Sequence, residues 1–246
     1  LLAGLVLASS SAVAQDEGDT TEPVTRILFV FDASNSMNGQ WESASKISIA
    51  QQLLEESVES LKINPDVELG LRVYGHQTPK RVGEQDCEDT RLEVPFDVNN
   101  HDDIINTIYR IYPKGTTPIA RSLEKAAGDF PECDDCRNVI ILITDGIEAC
   151  DGDPCAISKA LQEKGIILKP FVIGIGVEDQ FKYDFQCIGN FYDASNEENF
   201  KQIMQIVIQQ ALNTTTVQIN LNNEKGNPTE TNVPMTLYDN KTGEQL

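Results

Sequence analysis

Ile27-Leu-Phe-Val-Phe-Asp-Ala-Ser-Asn-Ser36 decides how this chain is read. Five consecutive apolar residues held between Arg26 and Asp32 predict a strand buried on both faces, as in a parallel sheet covered by helices on each side. The strand stops at a carboxylate. Asp32, Ser34 and Ser36 then recur at a spacing of two, so one carboxylate and two hydroxyls converge as the chain curls off the sheet edge. Three hard oxygen donors in one loop suit Mg²⁺, Mn²⁺ or Ca²⁺ better than zinc. The competing reading is a Ser/Asn-rich turn or helix cap, because Asp-x-Ser-x-Ser is a short pattern.

Val139-Ile-Ile-Leu-Ile-Thr-Asp-Gly146 repeats the design: a buried run, then Asp145 at its tip. Around these two strands the pattern alternates. A helix is expected over Ser43–Leu61, a strand over Val67–Tyr74, a loop from Gly75 to Thr90 and a short edge strand over Leu92–Phe96. Helices follow over Asp102–Ile111 and from Pro118, where Thr117 reads either as an N-cap or as a further oxygen donor. Beyond Asp145 come a helix over Pro154–Lys164, a buried strand over Ile166–Gly176, a short helical segment over Phe181–Cys187, a strand over Phe191–Ala194 and a last helix carrying Phe200, Met204 and Val207. The alternation predicts an α/β fold. Its sheet is doubly wound and mostly parallel, with one antiparallel edge strand and helices on both faces. Sites in such sheets form beyond the carboxyl ends of strands, where Asp32 and Asp145 lie.

The 246 residues carry a formal charge of −20 and an isoelectric point of about 4.3, which repels phosphate backbones and excludes nucleic acid as a natural partner. Cations are the matching small partners. Residues 1–14 combine an apolar run with Ala12-Val-Ala14 and read as the end of a signal peptide, too short to span a membrane, with an acidic leader over 15–23. The chain is therefore expected to be exported to the periplasm, the cell surface or the medium. Residues 24–212 hold the α/β domain. From 213 to 246 short alternating strands, Val217–Leu221 and Val233–Tyr238, read as a linker and the beginning of a β-sandwich domain.

Six cysteines in an exported chain favour disulfides. Proximity in sequence pairs Cys133 with Cys136 and Cys150 with Cys155, leaving Cys87 with Cys187. Four-cysteine zinc spacing is the alternative for Cys133, Cys136, Cys150 and Cys155. A redox role for Cys133-Asp-Asp-Cys136 is disfavoured because the pair precedes a strand rather than opening a helix.

Asp32, Ser34, Ser36, Thr117 and Asp145 together, in that order and on those elements, resemble the metal-ion-dependent adhesion site of the von Willebrand factor type A (vWA) family. The resemblance covers about Val24–Leu212. In Gly115-Thr-Thr-Pro118 it puts the ligand role on Thr117 ahead of Thr116, and Thr144-Asp-Gly146 looks like the family's fourth strand end. Tyr74-Gly-His76, Thr117-Pro-Ile-Ala120 and Gly152-Asp-Pro-Cys155 are most similar to bacterial exported members related to the vWA domain of calcium-activated chloride channel regulators. The resemblance implies a bound divalent cation, Mg²⁺ first with Ca²⁺ and Mn²⁺ as alternatives, and a protein partner whose Asp or Glu completes the metal shell. Two carboxylates and three hydroxyls supply at most five ligands, and Mg²⁺ takes about six, so one position stays open. A non-enzymatic binding module is the expected function. The alternatives are a metal-assisted hydrolase, for which His76 is the candidate base, and a structural envelope protein whose metal stiffens loops.

Overall fold

A computed structural model describes residues 24–81, 84–133, 136–163, 171–175, 187–188, 190–194 and 196–212. The expected signal peptide, the leader, the segment 181–186 and the strands after residue 212 lie outside them.

The apolar run becomes β1 (Val24–Asp32), the central strand of a six-stranded sheet. Two short strands, β2 (Gln40–Trp41) and β3 (Ala44–Ser45), form a separate hairpin just after it. The main sheet is completed by β4 (Val67–Tyr74), β5 (Thr90–Asp97), β6 (Cys136–Thr144), β7 (Phe171–Ile175) and β8 (Asn190–Ala194), in the order β5-β4-β1-β6-β7-β8. Every pairing in it is parallel except β4 with β5, so the expected antiparallel edge strand is present. Pro95 lies within β5, where an edge strand tolerates a residue lacking a backbone donor.

The period-two alternation of β1 divides the core. Ile27, Phe29 and Phe31 pack with α1 (Lys46–Leu61), α2 (His101–Ile108) and the C-terminal helix α5 (Glu197–Leu212). Leu28 and Val30 pack on the other face with α3 (Ile119–Ala126) and α4 (Pro154–Glu163). All five side chains are fully buried. At roughly 1.5–3 kcal/mol for each fully buried aliphatic or aromatic side chain, this strand alone contributes on the order of 10 kcal/mol of gross hydrophobic stabilisation. Parallel pairing on both sides places the ends of β1, β4 and β6 at one edge, with Asp32 beside Tyr74 and Phe31 beside Ile143.

The first long helix starts later than its periodicity predicts. The hairpin occupies residues 40–45, and Ser45, in extended conformation, caps α1 by accepting from the Ser48 backbone N–H.

Two of the expected cysteine pairings are corrected. Cys133–Cys136 forms as predicted, but the others are Cys87–Cys150 and Cys155–Cys187, and no described cysteine is free. The zinc reading falls with them. Proximity in sequence misled because Asp151, with φ 54°, turns the chain between Cys150 and Cys155. Glu148 accepts from the backbone of both Ala120 and Cys150, and Arg121 pairs with Glu88 at 2.5 Å, so Cys150 is drawn toward the segment carrying Cys87. Cys155 lies in the first turn of α4, whose Ser158 hydroxyl donates to the Ile188 carbonyl and brings the neighbouring Cys187 alongside.

Cys87–Cys150 closes a loop of 63 residues between the β4–β5 and β6–α4 connections. Chain-entropy reasoning gives such a closure about 4 kcal/mol. The double substitution Cys87→Ala, Cys150→Ala is expected to lower the unfolding free energy by roughly that amount in a urea titration, with the native fold retained. A loss below about 1 kcal/mol would show that the unfolded chain already keeps these two segments close, so that the crosslink removes little entropy.

Candidate metal centre

The site is built at the carboxyl edge of the sheet from three backbone segments tied to one another. After Asp32 the chain leaves β1, and the Ala33 N–H donates to the Tyr74 carbonyl. Ser34 forms a bridge with Gly115, and the Asn35 N–H donates to the Gly115 carbonyl at 2.9 Å. A single 3-10 turn over Asn35–Asn38 follows, anchored by buried Met37. The Thr117 carbonyl accepts from the Ala149 N–H at 3.1 Å, which joins the α3 entrance to the loop after Asp145.

On this frame four of the five predicted residues form a connected network. Asp32 Oδ1 accepts from the Ser34 N–H at 2.7 Å, the Ser34 and Ser36 hydroxyls lie 2.9 Å apart, and Ser36 Oγ donates to Asp145 Oδ1 at 2.7 Å. Thr117 stands at the same place without joining the chain of bonds. A methyl group built on Gly146 would lie 3.9 Å from Thr117 Cγ2 and 4.0 Å from Ser36 Oγ, so Thr117 and Ser36 flank one point next to Asp145. The N-cap alternative for Thr117 is overturned: Pro118 holds the N-cap position of α3, which has no side-chain cap. Thr116 is engaged elsewhere, its hydroxyl donating to Gln85 Oε1 at 2.8 Å.

Charge in the cluster is unevenly compensated. Asp32 is fully buried, and its second oxygen accepts from Thr144 Oγ1 at 2.7 Å, with the Tyr74 hydroxyl donating to Thr144 behind it at 3.1 Å. Burial, and then the neighbouring Asp145 charge, push the Asp32 carboxyl up to about 6 against an ordinary value of 3.8, with the Ser34 and Thr144 hydrogen bonds opposing the rise. Asp145 has a cation of its own, Lys46 Nζ, 2.9 Å from Oδ2.

A carboxyl whose pKa is raised in the folded chain is stabilising when protonated, and that contribution is lost as pH rises through the folded value. In EDTA, wild type is therefore expected to lose about 2 kcal/mol relative to Asp32→Asn as pH is raised from about 4 to about 6, and to change little relative to it above about pH 7. Paired urea titrations across this range check it, and parallel pH profiles would refute it.

The donor set fits a divalent hard cation. It offers carboxylate and hydroxyl oxygens only, two acidic groups held close together, and one of them already drawing an ammonium group.

The sequence profile of the von Willebrand factor type A domain matches residues 27–209. The chain belongs to the von Willebrand factor type A family. The vWA domain is a protein-interaction domain, and the match takes in all six strands of the main sheet apart from the first three residues of β1. YwmC of Bacillus subtilis (strain 168), itself uncharacterized, is 29% identical over 222 residues, covering 86% of this chain and 95% of that one. Among solved structures, an aerotolerance-related membrane protein of Bacteroides fragilis NCTC 9343 superposes with a TM-score of 0.60 at 17% identity, over 76% of this chain and 98% of that one. The pilus adhesin SpaC of Lactobacillus rhamnosus GG gives 0.63 at 13%, over 78% of this chain and 31% of that one. These structural likenesses are likenesses of fold.

Several residues that build this vWA site escape a reading by motif. Thr144 buttresses Asp32 across the sheet, and only its position before Asp145 marks it. Tyr74 stands behind Thr144, and the strand register Asp32↔Tyr74 is the signal. Lys46 has no signal in the sequence, because the contact depends on the short hairpin that delays α1. His76, the candidate base, is committed to Glu93, with Nε2 2.6 Å from Oε1 and Nδ1 3.8 Å from Asp89.

Proposed function

We propose that this vWA domain binds one divalent cation through Asp32, Ser34, Ser36, Thr117 and Asp145 and uses it to dock a protein partner by an Asp or Glu side chain. The single observation carrying this is the hydroxyl–carboxylate network from Asp32 through Ser34 and Ser36 to Asp145, held on three stitched loops with Thr117 beside it. Mg²⁺ is the first choice for so compact an oxygen set, with Mn²⁺ and Ca²⁺ as alternatives. A bound ion with an incomplete protein shell supplies an open position for an external carboxylate. The chain's residues do the rest. Ser34, Ser36 and Thr117 would offer neutral oxygens to the ion, which would keep it electrophilic, and Asp32 and Asp145 would supply the negative charge that holds it.

The surroundings suit docking rather than turnover. Ile147 is exposed beside Gly146, and Tyr112 is 73% exposed next to Pro113, whose carbonyl accepts from Asn38 Nδ2. Apolar side chains beside a polar anchor are the arrangement of a protein interface. With its imidazole bound to Glu93, His76 is assigned no catalytic role. The three disulfides and the signal-peptide pattern of residues 1–14 support export, and no helix among the described residues is long and apolar enough to cross a membrane.

Immobilised chain incubated with solubilised envelope proteins tests the reading. A partner retained in Mg²⁺ and released by EDTA is the expected result, with no retention on Asp145→Ala. Retention unaffected by EDTA would place the docking surface elsewhere.

A further inference from the structure

Lys46 stands where a competitor for the cation would stand. It is the first residue of α1, its backbone N–H donates to the Gly39 carbonyl at 2.9 Å, and its Cε would lie 4.0 Å from a methyl group on Gly39, so its stem runs along the turn that follows Ser36. Its ammonium reaches Asp145 Oδ2 at 2.9 Å. The other oxygen of that carboxylate takes the Ser36 hydroxyl, so both oxygens of Asp145 are engaged. The Asp145 side chain is wholly shielded from solvent, whereas the Lys46 side chain keeps 17% of its surface exposed and has a path outward. Asp32, the other acidic group, accepts from Ser34 and Thr144 and has no cationic partner among the described residues.

We propose that Lys46 is a tethered surrogate cation. In the metal-free chain it neutralises Asp145 and, through Asp145, keeps Ser36 and its loop in place; on loading it gives up that carboxylate and swings toward solvent. This rests on the divalent site proposed above. Two consequences follow with the same sign. Displacing a charge-assisted hydrogen bond opposes metal entry, and a positive charge left nearby repels the ion. Lys46 thus raises the cation concentration at which the site loads, and it protects the empty domain from the repulsion between Asp32 and Asp145.

Calorimetric titration of Mn²⁺ into the full chain, combined with thermal melts in EDTA, separates the possibilities. Lys46→Met keeps the aliphatic stem and is expected to bind Mn²⁺ about tenfold tighter than wild type, a change of about 1.4 kcal/mol, and to melt roughly 2–4 °C lower in EDTA. Lys46→Arg, which keeps the charge, is expected to resemble wild type in both. In an Asp145→Ala background the ion pair is already gone and only the nearby charge remains, so Lys46→Met should leave the melting temperature unchanged and tighten Mn²⁺ by clearly less than tenfold. Binding by Lys46→Met alone, with none by wild type, also supports the proposal, since the ammonium then fills the site outright. If wild type binds one Mn²⁺ and Lys46→Met binds it no tighter, Lys46 is an ordinary ion pair and the metal site stands without it. Absence of binding by every variant overturns both.

Discussion

Asp145→Ala is expected to abolish partner capture and to weaken Mg²⁺ binding by about 100-fold, at the upper end of what loss of one supporting group does to a metal site, while leaving the domain folded. Asp145 lies at the tip of β6, beyond the last core residue of that strand, and its carboxylate bonds only Ser36 and Lys46 among described partners. Removing it leaves no core cavity. Its negative charge is the second cause of the raised Asp32 carboxyl, so the substitution also relieves Asp32. Lys46 loses its partner but has solvent within reach. These effects oppose one another, and the net change in stability is expected to stay within about 1 kcal/mol, as for substitutions outside the core. Urea titration together with Mg²⁺ calorimetry distinguishes this from unfolding. A loss of several kcal/mol would mean that Asp145 is a structural residue first.

Gly75→Ala is expected to do the opposite, destabilising the fold by about 3–5 kcal/mol and losing metal binding in step with it. Gly75 follows β4 directly with φ 72°, in the left-handed region that a Cβ disfavours. A methyl group there would meet the Thr116 carbonyl oxygen at 2.6 Å and the Ser34 N and Cα at 2.8 Å. All of these are backbone atoms, so no rotamer change relieves the clash. The loops carrying Ser34 and Thr117 would have to part, and both supply the proposed site. Denaturant melts and Mn²⁺ titration of the same preparation check the coupling. A variant that loses less than about 1 kcal/mol and still binds Mn²⁺ would show that the two loops are not held by this close approach.

How much of this was legible in the sequence depended on the range over which each signal acts. The central strand was readable because burial on both faces leaves a run of apolar residues with no polar interruption, and its carboxyl end named Asp32 at once. Asp145 followed from the same logic on β6. Thr117 was harder, because Pro118 after a threonine is a good helix start as well as a site residue; the structure removes the N-cap role by moving the cap to Pro118. The cysteine pairings failed for a physical reason. Sequence proximity says nothing about a left-handed residue at Asp151 or about Glu148 gathering the Ala120 and Cys150 amides, and these decide which cysteine Cys150 meets. Lys46 was invisible in the same way: a two-strand hairpin of weak pattern sets where α1 begins, and that start aims the side chain at Asp145.

Anomalous diffraction from crystals of the full chain grown with Mn²⁺ would locate the ion itself. One strong peak is expected at the carboxyl edge of the sheet, within roughly 2.0–2.6 Å of hydroxyl oxygens of Ser34, Ser36 and Thr117 or of the two carboxylates, the range of direct oxygen ligands, with the Lys46 ammonium withdrawn from Asp145. No peak there, with Lys46 still bonded to Asp145 at millimolar Mn²⁺, would contradict the proposed divalent site.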